Sequence, residues 1–448
     1  MVQMKNIHLL LVGVLFVFTM NACTLTSEAG EQELAKIPQT PKKVELKNNA
    51  AGHYRLFVDG EEFFIEGAGL EFGDVAALAA HGANSFRTWR TENGEKSGKE
   101  VLDEAYRNGL MVFMGIEVGR ERHGFNYDDS LQVNKQKDEI REQIMQLKDH
   151  PALLGWGIGN ELNLHYTNKK VWNAVNDIAV MIHEVDGNHP ATTMLAGIGK
   201  PEVEYITANC PDLDFLSIQM YGDIINLQQR IAEAGYDGPY MITEWGATGH
   251  WEVNSTEWNA PIEQFSTEKA AGIKERYEKA IAIDTTRCIG SFVFLWGQKQ
   301  ERTPTWYGLF TENNEQTEPI DVMHYFWNDK QWPANRAPQI ADVLLEGKRA
   351  AQNIHVNADK ELTISYKSTD ADGDPLNIRF EVMKEATDLK DGGDKEDRPT
   401  PIDGLFVSEV SGKVVFKSPT ESGAYRAFVY VLDGNNHAAT ANIPFYVD

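Results

Sequence analysis

The sequence predicts a (β/α)8 barrel followed by a small immunoglobulin-like β-sandwich, on three observations. Short apolar runs alternate with stretches of helical periodicity from about Tyr54 to Trp332. From Asn335 to Asp448 that periodicity gives way to strand-like runs between turn-rich segments. The chain, at 448 residues, has room for a barrel of about 250 residues and one small domain. Ten Trp, fifteen Tyr and twenty Phe suffice for a large core and an aromatic cleft. Asp and Glu total 67 against 42 Lys and Arg, a formal charge of −25. Such a surface repels phosphate backbones, so nucleic acid is not an expected partner.

The chain starts with Met1 to Lys5, an apolar run from Leu9 to Phe18, and Met20-Asn21-Ala22-Cys23. A basic start, a short apolar stretch and a small residue before the cut make a secretory signal over residues 1–22. Met20-Asn21-Ala22-Cys23 resembles the lipobox of bacterial lipoproteins, which implies acylation of Cys23; a plain signal peptide with an incidental Cys is the alternative. The expected place is then outside the cytoplasm, lipid-anchored to a bacterial membrane, at the outer membrane or cell surface. Residues 23–42 are polar, carry two prolines and read as a tether. Cys210 and Cys288 are expected as buried thiols, with a disulfide between them the lesser option.

The barrel domain is expected over residues 43–332. Alternation around Asp59-Gly60 predicts a hairpin. The expected strands are Phe63–Gly67, Asn84–Thr88, Met111–Ile116, Leu153–Gly159, Ala191–Leu195, Phe215–Met220, Tyr240–Glu244 and Gly290–Trp296. Between them, Ile140, Ile144 and Leu147, and then Val171, Val175, Ile178 and Ile182, fall at helical spacing. Gly109 reads as a helix C-cap. The rival, an open doubly wound sheet, usually carries a glycine-rich loop after its first strand; Gly67-Ala68-Gly69-Leu70-Glu71-Phe72 lacks the third glycine.

The sandwich is expected over residues 335–448, with strands at Glu361–Tyr366, Asn377–Val382, Lys413–Lys417, Tyr425–Leu432 and Ala439–Val447. The charged segment Lys384–Pro401 reads as a long exposed loop. Asp370-Ala371-Asp372-Gly373-Asp374 offers alternating carboxylates, but no Glu stands at the twelfth position of an EF-hand loop, so a polar turn is expected rather than a Ca²⁺ site.

In a barrel the active site lies at the C-terminal ends of the strands. The fourth strand runs into Asn160-Glu161 and the seventh into Glu244-Trp245-Gly246, which places two carboxyl groups at one barrel mouth. Glycoside hydrolysis needs such a pair: one acid protonates the leaving oxygen while the other attacks the anomeric carbon or activates water. Here a resemblance enters. Asn-Glu ending the fourth strand and Glu ending the seventh resemble clan A of the retaining glycoside hydrolases. The strings HPALLGWGIGNELN (150–163), MITEWG (241–246) and FVDGEEFFIEGAGLE (57–71) are most similar to the catalytic barrel of family 2. The same strings also show echoes of the fungal β-1,3-glucan transglycosylases.

The resemblance implies Glu161 as general acid/base, Glu244 as nucleophile and Asn160 as a contact to the sugar 2-hydroxyl. It implies Arg87 beside the nucleophile, Tyr221 donating to it, and Trp296 under the reacting sugar. Trp89 and Trp245, with Trp251 and Trp306, are candidate stacking platforms, since an aromatic face suits a pyranose. Glu71, Glu117, His123, Asn163, His165 and Gln298 are further candidates in strand-end loops. Family 2 members usually carry β-sandwich domains before the barrel, whereas here the barrel begins almost at once. The expected function is a retaining β-glycosidase acting on a β-linked glycan, with no cofactor or metal. The alternatives are a β-1,3-glucan transglycosylase on the same site and a non-catalytic glycan-binding surface lipoprotein.

Overall fold

Eight parallel strands close on themselves in sequence order. They are β1 (Ile65–Gly69), β2 (Ser85–Arg87), β3 (Met111–Ile116), β4 (Leu153–Asn160), β5 (Ala191–Ala196), β6 (Phe215–Gln219), β7 (Tyr240–Gly246) and β8 (Cys288–Phe294). A computed structural model describes residues 37–410 and 412–448. The expected signal peptide and Cys23 lie outside the described residues. Helices α1 (Val75–Ala80), α2 (Gly98–Arg107), α3 (Ser130–Leu147), α4 (Lys170–Val185), α5 (Lys200–Asn209), α6 (Leu227–Ala234), α7 (Ser266–Arg276) and α8 (Glu318–Trp327) surround the barrel.

The strands read as near-continuous apolar runs because both faces are covered; β4, β7 and β8 are buried at every position. One parity of side chains fills the barrel: Met111, Phe113, Leu154, Met194, Phe215, Met241, Ile289 and Phe292 form one cluster. The other parity packs on the helices, where Ile140, Ile144 and Leu147 of α3 and Val171, Val175, Ile178 and Ile182 of α4 are buried as their spacing requires. Ser97 caps α2 in a reciprocal pair with Glu100, and Gly109 follows its C-cap at φ +72°.

The first chain segment is a three-stranded antiparallel sheet of Val44–Asn48, Tyr54–Val58 and Glu61–Phe63. Its Asp59 and Gly60 both have positive φ, as a tight hairpin turn demands. Leu56 and Val58 join the barrel-interior cluster, so this sheet packs against the interior of the barrel. Because the hairpin uses Glu61–Phe63, β1 starts at Ile65, two residues later than the alternation suggests.

The C-terminal sandwich has two four-stranded sheets. One orders Gln339–Leu345, Glu361–Thr369, Lys413–Lys417 and Phe406–Val410; the other orders His355–Val356, Ala438–Val447, Gly423–Leu432 and Asn377–Lys384. Their inner faces share one core, including Ile364, Phe416, Val429 and Phe445. Three strands escape the sequence reading. His355–Val356 is only two residues, Gln339–Leu345 reads equally as a helix turn, and Phe406–Val410 is an edge strand whose Phe406 and Val410 are exposed.

Within the unit Pro38–Asp448 a buried polar network ties sandwich to barrel. Glu263 accepts from Lys269 Nζ at 2.5 Å and Thr305 Oγ1 at 2.8 Å, and its other oxygen accepts from Asn442 of the sandwich at 2.5 Å. Arg426 donates to Pro261 O at 2.8 Å and pairs with Glu385 at 2.9 Å.

The Asp370 turn forms as the sequence suggests: Oδ1 accepts from the backbone N–H groups of Asp372 and Asp374. Asp433 lies beside Asp370 and Asp374, and chain donors from Asn335, Asn435 and His437 occupy its oxygens. Cys210 and Cys288 are free and buried. Among the described residues no helix is long and apolar enough to cross a membrane. The segment after Lys384 departs from expectation. Rather than an exposed loop throughout, it folds back onto the barrel mouth, and Glu396 is 2% exposed.

Candidate active site

The C-terminal mouth of the barrel opens as a cleft of about 1210 Å³ whose floor holds both glutamates. Local backbone geometry delivers them. Between Gly157 and Asn160 the β4–β5 register shifts. Gly159 absorbs the bulge at φ +71°, where a Cβ would also sit 2.5 Å from Leu162. Glu161 follows at φ +50°, a left-handed conformation rare for a non-glycine residue and concentrated at functional sites. Glu244 comes from within β7, where the register to β6 shifts between Ile242 and Glu244 and breaks the strand's alternation.

Around Glu244 the donors are dense. Oε1 accepts from Arg87 Nη1 at 3.1 Å, Trp89 Nε1 at 2.8 Å and Gln219 Nε2 at 3.0 Å. Oε2 accepts from the Tyr221 hydroxyl at 2.8 Å. Four donors and no acceptor suit a carboxylate, which only accepts. Arg87 is fully buried. It also donates to Thr243 O at 3.1 Å and Asn160 Oδ1 at 2.8 Å, and lies 4.5 Å from the Trp89 ring centroid. Gln219 donates to the same Asn160 oxygen at 2.8 Å, which orients the Asn160 amide with its N–H₂ away from Arg87. Burial, and after it Glu244, push the Tyr221 hydroxyl well above its ordinary value, so it remains a donor.

Glu161 is the opposite case. Burial first, then the Glu244 charge, push its carboxyl up to about 8, against the pull of Arg122, Arg120 and Arg87. Two carboxyl groups at one mouth are thus held in contrasting environments, one ringed by donors and the other with no hydrogen-bond donor among the described residues. That contrast is how a protein assigns an acid and a nucleophile.

The structure brings Arg87, Asn160, Tyr221, Trp89, Glu161 and Glu244 together; it keeps Trp245 apart from them, and Trp296 borders the cleft with its side chain buried. Trp245 follows Glu244 on the strand, so period two turns it outward, where it is buried against Tyr277. Trp296 is also fully buried: Nε1 donates to Asp74 O at 2.9 Å, and the ring packs on His81 and Phe310. β8 ends at Phe294, so the alternation does not carry on to residue 296. Phe294 lines the cleft instead, in edge contact with Trp89, Tyr221 and Tyr307. Neither Trp245 nor Trp296 offers a ring face to a sugar.

Trp251 stands 60% exposed at the cleft rim, while Trp306 is buried with Nε1 on Thr248 O. Glu71, paired with Arg90, lines the cleft with Glu117, His165 and Gln298. Asn163 bonds both backbone groups of Ala196 and serves the β5 end, and His123 bonds Asp394. Sequence reasoning missed the roles of Gln219, Phe294, Arg120 and the segment Asp391–Glu396. Gln219 carried a usable signal: it shares parity with Phe215, which fills the barrel, so its polar group had to face the interior.

Residues 70–282 match the family described as "Glycosyl hydrolases family 2, TIM barrel domain". Over those residues the barrel is similar to the family 2 glycosyl hydrolase barrel. Solved structures similar to this chain include a β-D-glucuronidase of Dictyoglomus thermophilum, at 17% identity and TM-score 0.50 over 64% of this chain and 53% of that one. A putative β-galactosidase from Bacteroides fragilis is similar at 14% identity and TM-score 0.48, over 91% of this chain and 57% of that one. A family 2 β-galacturonidase from Eisenbergiella tayi is similar at 17% identity and TM-score 0.48, over 64% of this chain and 54% of that one. The chain therefore spans about half the length of the structures it matches. No curated protein matches it.

Proposed function

We propose that the protein is a retaining β-glycosidase in which Glu244 is the nucleophile and Glu161 the acid/base. The observation that carries the reading is the contrast between the two carboxyl groups: four donors converge on Glu244, while burial and a neighbouring charge hold Glu161 toward its protonated form. Glu244 attacks the anomeric carbon as Glu161 gives its proton to the departing oxygen. The glycosyl–enzyme ester forms as the glycosidic bond breaks. With its proton gone, Glu161 takes one from water, whose oxygen attacks the anomeric carbon and releases Glu244. Asn160, fixed by Arg87 and Gln219, presents its amide at the cleft floor as a donor to a sugar hydroxyl. Phe294 supplies the aromatic face that Trp296 does not.

We also propose, from Met20-Asn21-Ala22-Cys23 alone, a lipid anchor at Cys23 and a place outside the cytoplasm. Mass spectrometry of the protein purified from membranes tests it: an acylated Cys23 at the new N-terminus is expected, and an unmodified, uncleaved chain overturns it.

The enzymatic test is a panel of β-linked substrates that includes β-galactosides and β-glucuronides, the sugars in the names of the similar structures. Cleavage with net retention, lost in Glu161→Gln and Glu244→Gln, is expected. Wild type and both variants binding the same glycan with no cleavage by any of them overturns the roles of both glutamates.

A further inference from the structure

The cleft is not walled by the barrel alone: Asp391–Glu396, which belongs to the sandwich, lines it too. Three barrel loops hold that segment. After β3, Arg122 donates to Gly392 O at 3.3 Å and to Asp394 at 3.2 Å, and His123 bonds the other Asp394 oxygen at 2.8 Å. After β4, His165 lies 3.6 Å from Asp391. After β8, Lys299 donates to Gly393 O at 2.6 Å, and Arg302 pairs with the buried Glu396. The chain chemistry is fitted to this seat. Gly392 and Gly393 have φ of +59° and +71°. A Cβ on Gly392 would sit 2.6 Å from Arg122 Nη1 and 2.7 Å from Leu164; one on Gly393 would sit 2.9 Å from Lys299 Nζ. The positive φ favours glycine at both positions, and at Gly392 a side chain would also press on Leu164.

The loop stands on the Glu161 side. Leu164 and His165, three and four residues after Glu161, both meet it: His165 lies 3.6 Å from Asp391 and Leu164 packs under Gly392. The leaving group departs beside the acid/base, so this wall faces the leaving group. Its polar groups are only partly satisfied. Both amide atoms of Gln300, between the anchors Lys299 and Arg302, are buried without a hydrogen-bond partner. Arg120 lines the cleft, and its one side-chain hydrogen bond among the described residues is a long 3.4 Å contact to Asn160 O. An apolar leaving group would leave such groups unpaired, whereas sugar hydroxyls both donate and accept.

We infer that the sandwich-domain loop Asp391–Glu396, with Gln300 and Arg120, forms a subsite for a sugar residue in the leaving-group position, so that an oligosaccharide is preferred over an aryl or alkyl glycoside. This rests on the glycosidase reading above. It gives the C-terminal domain a part in substrate choice.

The test compares the full chain with Gly392→Val/Gly393→Val, which unseats the loop. Two substrates of the same sugar are used: the 4-nitrophenyl β-glycoside that the wild type cleaves and the β-linked disaccharide. The ratio of kcat/KM for disaccharide over aryl glycoside is expected to fall by at least about tenfold in the variant, the equivalent of one well-made hydrogen bond or more. Gln300→Met, similar in volume and outside the loop, is expected to lower the same ratio about five- to tenfold and gives the answer if the glycine variant does not fold. A ratio unchanged in both variants, or a wild type that cleaves the aryl glycoside but not the disaccharide, overturns the subsite and leaves the glycosidase reading standing. A wild type inert on the whole panel overturns the glycosidase reading and this inference with it.

Discussion

Tyr221→Phe isolates one donor at the proposed nucleophile. In the wild type Glu244 Oε1 has three donors, and Oε2 has the Tyr221 hydroxyl at 2.8 Å. The ring is buried among Trp251, Phe294 and Tyr307, so phenylalanine keeps the packing and removes only the O–H. The oxygen with one donor is the one with lone pairs free for attack. When the glycosyl–enzyme ester breaks, negative charge returns to that oxygen, and the lost donor is felt there. A hydrogen bond to a charged group is worth about 1.5–3 kcal/mol, which corresponds to a slowing of about 10- to 150-fold. Ester breakdown slows by that factor, while ester formation, in which Oε2 loses charge, is slowed less. Stopped-flow measurement with a 4-nitrophenyl β-glycoside should show a burst of nitrophenol followed by a depressed steady state. A variant with the wild-type steady-state rate and no burst refutes the assignment of Tyr221 to the nucleophile.

Three further outcomes are expected. With Glu161 raised to about 8 by burial and then by Glu244, kcat/KM on a β-linked disaccharide should be full below that pH and fall as the pH rises through it, because the acid must begin protonated; a profile flat to pH 9 contradicts the role. Trp89→Phe removes the Nε1 donor to Glu244 and is expected to lower kcat/KM about 10- to 150-fold, whereas Trp245→Phe, outside the cleft, should leave KM within about twofold; equal effects of the two would reject the placement of Trp89. Lys269→Met leaves buried Glu263 without its cation and is expected to destabilise the fold by about 3–5 kcal/mol in urea titration, with Lys269→Met/Glu263→Gln regaining at least about half; a single variant within about 1 kcal/mol of wild type argues against an energetic role for the junction.

Much of the barrel was legible because its evidence is local. A strand covered on both faces has to be apolar throughout, so Leu153–Asn160 and Tyr240–Gly246 announce themselves as runs. A helix on the rim has to repeat its apolar residues every turn, as Val171, Val175, Ile178 and Ile182 do. Glu161 and Glu244 were legible for the same reason, since the sites of this fold lie at the strand ends. Trp245 was misassigned although its parity, one residue from Glu244, already turns it away from the mouth. Trp296 was harder: it lies two residues past the end of β8, where alternation no longer specifies direction.

By itself, then, the sequence determined the alternation of elements, the closed barrel and the two strand-end carboxyl groups, because periodicity and strand-end position are properties of neighbours along the chain. Only the tertiary structure decided which groups surround those carboxyls. Gln219 and Tyr221 reach Glu244 from another strand, Phe294 takes the place expected of Trp296, and Gly392-Gly393 returns from the second domain to close the cleft. These contacts join residues tens to hundreds of positions apart. Their geometry is set by how strands and domains pack, which no local pattern of residues encodes.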